Sequence, residues 1–225
     1  MADRGRPGGN GPDGAQPEPV IVAIGGSAGG IQALQTMFGA LPESTGAAFV
    51  IIVHLDPERR SELPAILAAR TRMPVVQVER SAKLLPDHVY VIPPDRELQL
   101  VDHEINASSF TEPRGHRSPI DLFFRSMADR LSDGIAVVLS GAGSDGAIGV
   151  RAVKEAGGII LVQDPNDTEF SSMPRSAIAT GVADFVLPIQ ELAHRLAGLI
   201  EVKRLALVPS MPQLDEEMLR RVLAH

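Results

Sequence analysis

The chain has 225 residues, of which 44% are hydrophobic and 22% charged, so it can bury a substantial core and is not an intrinsically disordered protein. Its formal net charge is −7 and it contains no tryptophan, which argues against a nucleic-acid-binding protein. It contains no cysteine, no visible signal peptide and no apolar run near the roughly 18 residues of a membrane-spanning helix, so we expect a cytoplasmic protein without disulfides or membrane insertion.

The first part of the chain alternates strand and helix patterns after a polar tail. Residues 1–19 are rich in glycine, proline and charge, and we predict that they form a disordered tail. The apolar runs at 20–24 and 49–53 are predicted to be strands buried on both faces. Apolar residues at helical spacing predict helices at 31–41 and around 63–67.

Residues 74–110 have a different pattern, because short alternating runs are broken by proline and aspartate. The runs at 75–78, 89–92 and 98–101 predict a small strand-rich insertion that contains hairpins. This insertion separates two stretches in which strands and helices alternate.

The helix after the insertion has a clear start, with Ser118 as N-cap, Pro119 at the first helical position and Asp121 in the first turn. The elements predicted after it are a strand at 135–139, a helix ending near 156, a strand at 158–162, a short helix at 174–180, a strand at 185–187 and a helix at 189–199. Apolar strands alternating with helices predict an α/β domain over residues 20–202, with a doubly wound, mostly parallel sheet and helices on both faces.

The pattern changes again after residue 202. Residues 203–225 are predicted to be a linker followed by a short amphipathic helix. The apolar stripe of this helix consists of Leu214, Met218, Leu219, Val222 and Leu223. Because so short a helix is marginal alone, the stripe indicates either docking on the domain or a chain that continues past His225.

Three polar side chains follow apolar strands, which is where ligands bind in parallel α/β sheets. Ser27 lies in a G-x-S-x-G turn at 25–29, which is typical of a nucleophilic serine. His54 directly follows the second strand and is a candidate general base. Asp145, in the glycine-rich loop at 140–146, would orient the imidazole as the third member of a triad.

Each of these residues also has a structural interpretation. Ser27 is then a helix cap in a phosphate loop, His54 a solvated or structural histidine, and Asp145 a helix cap. The phosphate-loop interpretation fits poorly, because a Walker motif needs Lys and then Ser or Thr where Ile31 and Gln32 stand, and the dinucleotide fingerprint needs Gly where Ser27 stands. The histidines have no metal-ligand spacing, and we predict neither a metal nor a cofactor.

Four motifs occur in order along the chain: IGGSAGG at 24–30, VHL at 53–55, LSGAGSDGAIG at 139–149 and MPRSAI at 173–178. Together they resemble the catalytic domain of CheB-type protein-glutamate methylesterases of bacterial chemotaxis. The resemblance covers residues 20–200 and implies a doubly wound α/β fold. It also implies hydrolysis of glutamyl methyl esters on chemoreceptors, with release of methanol, and, for many members, deamidation of glutamines.

In the family the catalytic residues follow one another in the order Ser, His, Asp. The resemblance therefore implies that Ser27 is the nucleophile, His54 the general base and Asp145 the aspartate that orients it. Backbone N–H groups after Ser27 or near Ala142 are the oxyanion candidates. This chain has Ala28 where members commonly have threonine, and Ala142 where they commonly have methionine, and both departures bear on the shape of the groove or the rate. Neither removes a member of the triad.

The resemblance also bears on partners. The usual family member carries an N-terminal receiver domain, whereas this chain has only the polar tail there. The segment at 116–124 and the C-terminal helix resemble esterase domains fused to a CheR-like methyltransferase. The implied partners are a methylated chemoreceptor or another methylated signalling protein, and a CheR-like domain; Arg175 is either a groove residue or a surface residue.

Three other functions compete with the methylesterase. A catalytically degenerate relative would act as a signalling or partner-binding module, although the retained triad argues against it. A nucleotide-binding domain is disfavoured by the failed phosphate motifs. A hydrolase of small esters would prefer small free esters to a methylated protein.

Overall fold

The computed structural model describes residues 18–55, 61–101, 104–113 and 116–207. The strands of this part are β1 (Val20–Gly26), β2 (Ala47–Val53), β3 (Val75–Gln77), β4 (Ser81–Lys83), β5 (His88–Val91), β6 (Arg96–Val101), β7 (Glu104–Ser109), β8 (Ile135–Val138), β9 (Ile159–Gln163) and β10 (Phe185–Leu187). Its α-helices are α1 (Gly30–Ala40), α2 (Leu63–Ala68), α3 (Pro119–Ala128), α4 (Ala147–Glu155), α5 (Ser172–Ala179) and α6 (Ile189–Leu207). A single 3-10 turn at Pro165–Asp167 follows β9.

The main sheet has seven strands in the order β10-β9-β8-β1-β2-β5-β3, and all its strand pairs are parallel. Every residue of β1, β2 and β8 is buried, as the continuous apolar runs predict for strands covered on both faces. The helices cover the two faces of the sheet, so the predicted doubly wound α/β fold is confirmed. The chain leaves β1 toward β2 on one side and later returns to β8 on the other, which makes the ends of β1 and β8 the topological switch point.

The predicted strand-rich insertion is confirmed as a three-stranded antiparallel sheet in the order β4-β7-β6, in which β6 and β7 form a hairpin. Two segments assigned to the insertion pair elsewhere, however. β5 and β3 extend the main sheet as parallel strands beyond β2. The reason is burial: Val89, Tyr90 and Val91 are nearly inaccessible, so β5 is covered on both faces like the other strands of the main sheet.

Helix α6 continues to Leu207, beyond the predicted end near Leu199. Leu192, Leu196 and Ile200 are buried at helical spacing, and this apolar face packs against α1. Residues 1–17 of the predicted tail and the predicted C-terminal helix lie outside the described residues. The domain boundaries therefore stay predictions. Within the described ranges, no helix has both the length and the apolar character needed to cross a bilayer.

Candidate active site

Ser27, His54 and Asp145 follow three neighbouring strands of the main sheet. Ser27 comes directly after β1, His54 directly after β2, and Asp145 lies in the loop between β8 and α4. Because β1 pairs with β2 on one side and with β8 on the other, the carboxyl ends of all three strands meet at one edge. The strand order therefore brings together residues that are far apart in the sequence.

His54 lies between the other two side chains. Its Nε2 is 2.9 Å from Asp145 Oδ2, and its Nδ1 is 3.3 Å from Ser27 Oγ. Because a carboxylate only accepts hydrogen bonds, the proton of the neutral imidazole lies on Nε2, and Nδ1 accepts from the Ser27 hydroxyl. The side chain of Asp145 is 7% exposed and that of His54 is 36% exposed. Solvent therefore reaches the histidine but hardly reaches the aspartate.

The turn after β1 presents the Ser27 hydroxyl to His54 instead of using it as a helix cap. The N-cap of α1 is Gly29, and it makes no side-chain capping bond. Gly29 has a φ of 75°, and a Cβ there would lie 2.5 Å from Ser140 Oγ, so the position requires glycine. The Ser27 N–H donates to the Ser140 carbonyl over 3.0 Å, which ties the turn to the end of β8.

Asp145 caps a helix, but not the helix that follows it. Its Oδ1 accepts from the Asp121 N–H over 2.9 Å, and its Oδ2 accepts from the Ile120 N–H over 3.1 Å. Both donors are in the first turn of α3, whose N-cap Ser118 makes no side-chain capping bond. The start of α3 therefore fixes both carboxylate oxygens, and Oδ2 also faces His54.

The backbone N–H groups around Ser27 differ in whether they have a protein acceptor within the described residues. The Ser27 N–H is used by Ser140, and the Gly141 N–H donates to the Phe170 carbonyl. Within the described part of the chain, the N–H groups of Ala28 and Ala142 donate to no protein acceptor.

A cavity of about 80 Å³ adjoins His54. Most of its lining is apolar, with contributions from Val53, Leu55, Ile92, Pro93, Phe110 and Pro119. The Arg117 guanidinium lies 4.4 Å from the centre of the Phe110 ring and forms an ion pair with Asp95 at the rim. The cavity is large enough for a methyl group.

Arg175 is the remaining candidate from the sequence, and its side-chain hydrogen bond is to a residue at the start of its own helix. Arg175 is exposed on α5, where its Nε donates to Ser171 Oγ over 3.2 Å. The described residues contain no cluster of three or more histidine, cysteine or acidic side chains that could hold a metal ion. Sequence reasoning missed the contact of Ile120 and Asp121 with Asp145, for which the only signal was the helix start at Ser118.

The sequence matches the family described as CheB methylesterase over residues 22–196. The chain is 35% identical over 193 residues to the "Protein-glutamate methylesterase/protein-glutamine glutaminase" of Geobacillus kaustophilus, covering 83% of this chain and 55% of that protein. It is 45% identical over 139 residues to the "Uncharacterized 104.1 kDa protein in hypE 3'region" of Rhodobacter capsulatus, covering 60% of this chain and 14% of that protein. A Leptospira interrogans relative is 35% identical and is covered over 91% of its length.

The fold is also similar to a solved structure. The crystal structure of the Thermotoga maritima CheB methylesterase catalytic domain aligns with a TM-score of 0.74 and 29% sequence identity. The alignment covers 80% of this chain and 98% of that one. The similarity therefore includes nearly the whole of the solved catalytic domain.

Proposed function

The chain belongs to the CheB methylesterase family, and we propose that it hydrolyses glutamyl methyl esters on chemoreceptor-type signalling proteins, with Ser27, His54 and Asp145 as its catalytic triad. The observation that carries the proposal is the hydrogen-bonded chain from Ser27 Oγ through the His54 ring to Asp145 Oδ2. The names of the relatives support the reaction class. The chain spans about half the length of several of them, with 53% of one and 55% of another, so the substrate and partners are proposed from the catalytic part alone.

The acylation step follows from the tautomer of His54, which has its proton on Nε2 and leaves Nδ1 free to accept. His54 Nδ1 takes the proton from Ser27 Oγ, and Oγ attacks the ester carbonyl carbon. Asp145 stabilises the imidazolium through Nε2–H. The tetrahedral intermediate then collapses, the bond from carbon to methoxide breaks, and Nδ1–H gives its proton to the leaving methoxide to form methanol.

Deacylation repeats these steps with water as the nucleophile. His54 Nδ1 accepts a proton from water, the hydroxide attacks the acyl carbon, and Ser27 leaves with the proton returned from the imidazole. The product is the free glutamate side chain. With a glutamine substrate the leaving group is ammonia instead of methanol, and the same residues deamidate the side chain.

The oxyanion of both intermediates is assigned to the N–H groups of Ala28 and Ala142. Each is free of protein acceptors within the described residues. Ala28 follows Ser27 in the sequence, and Ala142 follows Gly141, where a Cβ would lie 3.0 Å from the Ser27 Cβ. One such donor is worth roughly 3–4 kcal/mol in measured cases. Both are backbone groups, so alanine in place of the threonine and methionine common in the family leaves these donors intact.

The cavity beside His54 supports a small leaving group. Methoxide takes its proton from the His54 ring, so the methyl group departs next to this histidine. The apolar lining and the volume of about 80 Å³ suit a methyl group. The proposed partners are methylated signalling proteins, as the family membership suggests, with a CheR-like methyltransferase domain as the source of the ester.

The test is methanol release from a carboxyl-methylated chemoreceptor cytoplasmic fragment, compared between the native chain, Ser27→Ala and Ser144→Ala. Ser144 is exposed in the loop that carries Asp145, so its variant is a matched serine control. We expect release to be lost in Ser27→Ala and kept in Ser144→Ala. No release from a folded native chain would contradict the chemoreceptor substrate and favour the degenerate relative.

A further inference from the structure

Helices α3 and α4 cap each other instead of capping themselves. The N-cap of α4 is Gly146, which has no side chain, and the N-cap Ser118 of α3 makes no side-chain capping bond. Asp145, just before α4, accepts from two N–H groups of α3. Asp121, in the first turn of α3, accepts from the Gly149 N–H in the first turn of α4. The Asp145 carboxylate thus binds the beginning of α3, and the Asp121 carboxylate binds the beginning of α4.

The Asp121 carboxylate is held at the beginning of α4. Its Oδ1 accepts from the Gly149 N–H over 2.7 Å, and the nearby N–H groups of Ile148 and Gly146 act to lower the pKa of this carboxyl group. Asp121 is 9% exposed. Its carboxylate therefore holds the backbone four residues after Asp145.

The close packing of the two helices leaves this arrangement little freedom. A Cβ at Gly149 would lie 2.6 Å from the Cβ of Phe124 and 3.2 Å from the Cα of Asp121. Asp121 also donates its own N–H to Asp145 Oδ1 over 2.9 Å. One residue therefore holds Asp145 through its backbone and holds the chain after Asp145 through its side chain.

Keeping a second carboxylate here has an electrostatic cost. Burial raises the pKa of Asp121, the bond from Gly149 opposes that shift, and the charge of Asp145 adds to it. The positive ends of the α3 and α4 dipoles and the N–H groups offset this cost. If Asp121 only stabilised the first turn of α3, its carboxylate would not need to bind the backbone of α4.

We propose that Asp121 is a positioning residue of the active site, which keeps Asp145 Oδ2 on His54 Nε2 by fixing the first turn of α4. The inference rests on the proposed function, because the positioned group is the proposed triad aspartate. Asp121 acts only through Asp145, since within the described residues its carboxylate bonds to α4 and not to His54 or Ser27.

The experiment compares Asp121→Ala, Asp121→Asn and the control Asp87→Ala in the full chain. Asp87 also holds backbone N–H groups, those of Thr45 at 2.6 Å and Gly46 at 2.7 Å, but at the start of β2, the opposite end of the strand from His54. Two quantities are measured: the distance from Asp145 Oδ2 to His54 Nε2 in crystal structures, and kcat and KM for methanol release per folded chain.

In Asp121→Ala we expect this distance to exceed hydrogen-bond range and kcat to fall about a hundredfold with KM unchanged, since a misplacement of about 1 Å has that effect. Asp121→Asn keeps an acceptor for Gly149 and is expected to keep both the distance and most of the rate. Asp87→Ala is expected to lower thermal stability and to leave both quantities unchanged.

Two results would overturn the proposal. One is an Asp145–His54 distance in Asp121→Ala that stays at the native 2.9 Å. The other is a loss of rate in Asp87→Ala equal to that in Asp121→Ala. If Asp121→Ala does not fold, loss of the contact in Asp121→Asn contradicts the proposal instead. The distance needs no substrate, so failure of this inference is distinguishable from failure of the proposed methylesterase.

Discussion

Replacing Asp145 by asparagine removes the negative charge of its side chain and keeps nearly the same shape. The carboxylate accepts three hydrogen bonds: Oδ1 from the Asp121 N–H, and Oδ2 from the Ile120 N–H and from His54 Nε2–H. Asparagine has one acceptor oxygen. With that oxygen in place of Oδ2, the bonds from Ile120 and His54 are kept and the side-chain NH₂ faces the Asp121 N–H. The reverse placement loses both of these bonds, and a change of imidazole tautomer would restore only the bond to His54, so we expect the first.

This orientation determines how much folding free energy and how much kcat the Asp145→Asn substitution costs. Placing two donors face to face leaves one N–H unsatisfied, which costs about 1–3 kcal/mol of folding free energy. The tautomer of His54 is kept, so the rate falls because the negative charge beside the imidazolium is lost. Two charges about 4 Å apart near a protein surface attract by about 4 kcal/mol, which corresponds to about a thousandfold in kcat. Since His54 is 36% exposed, solvent reduces this attraction, and we expect about a hundredfold or more.

The assay is methanol release at saturating substrate by Asp145→Asn, with Asp184→Asn as the control. The Asp184 carboxylate accepts from the Ile160 N–H over 2.9 Å and binds Lys154, at the far end of the sheet from His54. We expect the control to keep its kcat. A native kcat in folded Asp145→Asn would refute the role of the charge. A crystal structure with the asparagine NH₂ on His54 Nε2 would refute the orientation.

Phe110 is predicted to restrict the leaving group: the native chain should prefer a methyl over an ethyl glutamyl ester by about tenfold or more, and Phe110→Ala should reduce that ratio. An unchanged ratio of kcat/KM values would contradict this role for the cavity. Burial acts to raise the pKa of Asp87, but bonds from two backbone N–H groups and two hydroxyls outweigh it and hold the pKa below its ordinary 3.8. The stability from Asp87 is therefore present above pH 3.8 and lost as the pH falls below it, so the gap in Tm between the native chain and Asp87→Asn should narrow there. A gap that is constant with pH would contradict this.

The α/β class and the location of the site could be predicted because both depend on local sequence. Fully apolar strands require cover on both faces, and the loops after such strands lie at one edge. Ser27 and His54 each follow such a strand, so their proximity needed only the adjacency of β1 and β2. The catalytic roles themselves were carried by the family resemblance and stay predictions.

The function of Asp121 could not be predicted in the same way. Asp121 in the first turn of a helix is favourable to that helix alone, and nothing in the local sequence indicates a second helix start beside it. The contact with Gly149 depends on how α3 packs on α4, which is a tertiary feature. The edge strand β3 was misplaced for a related reason, since three residues carry too little pattern to identify their partner.

The most direct test of the account is covalent labelling of the nucleophile. The native chain and Ser27→Ala are treated with a fluorophosphonate, which reacts with activated serines, and methanol release is followed in parallel with the mass of the intact chain and of its peptides. We expect one adduct per chain, on the peptide that contains Ser27, formed at the rate at which methanol release is lost, and no adduct in Ser27→Ala. Methanol release that persists after complete labelling of Ser27, or inactivation by an adduct on another residue, would contradict this expectation.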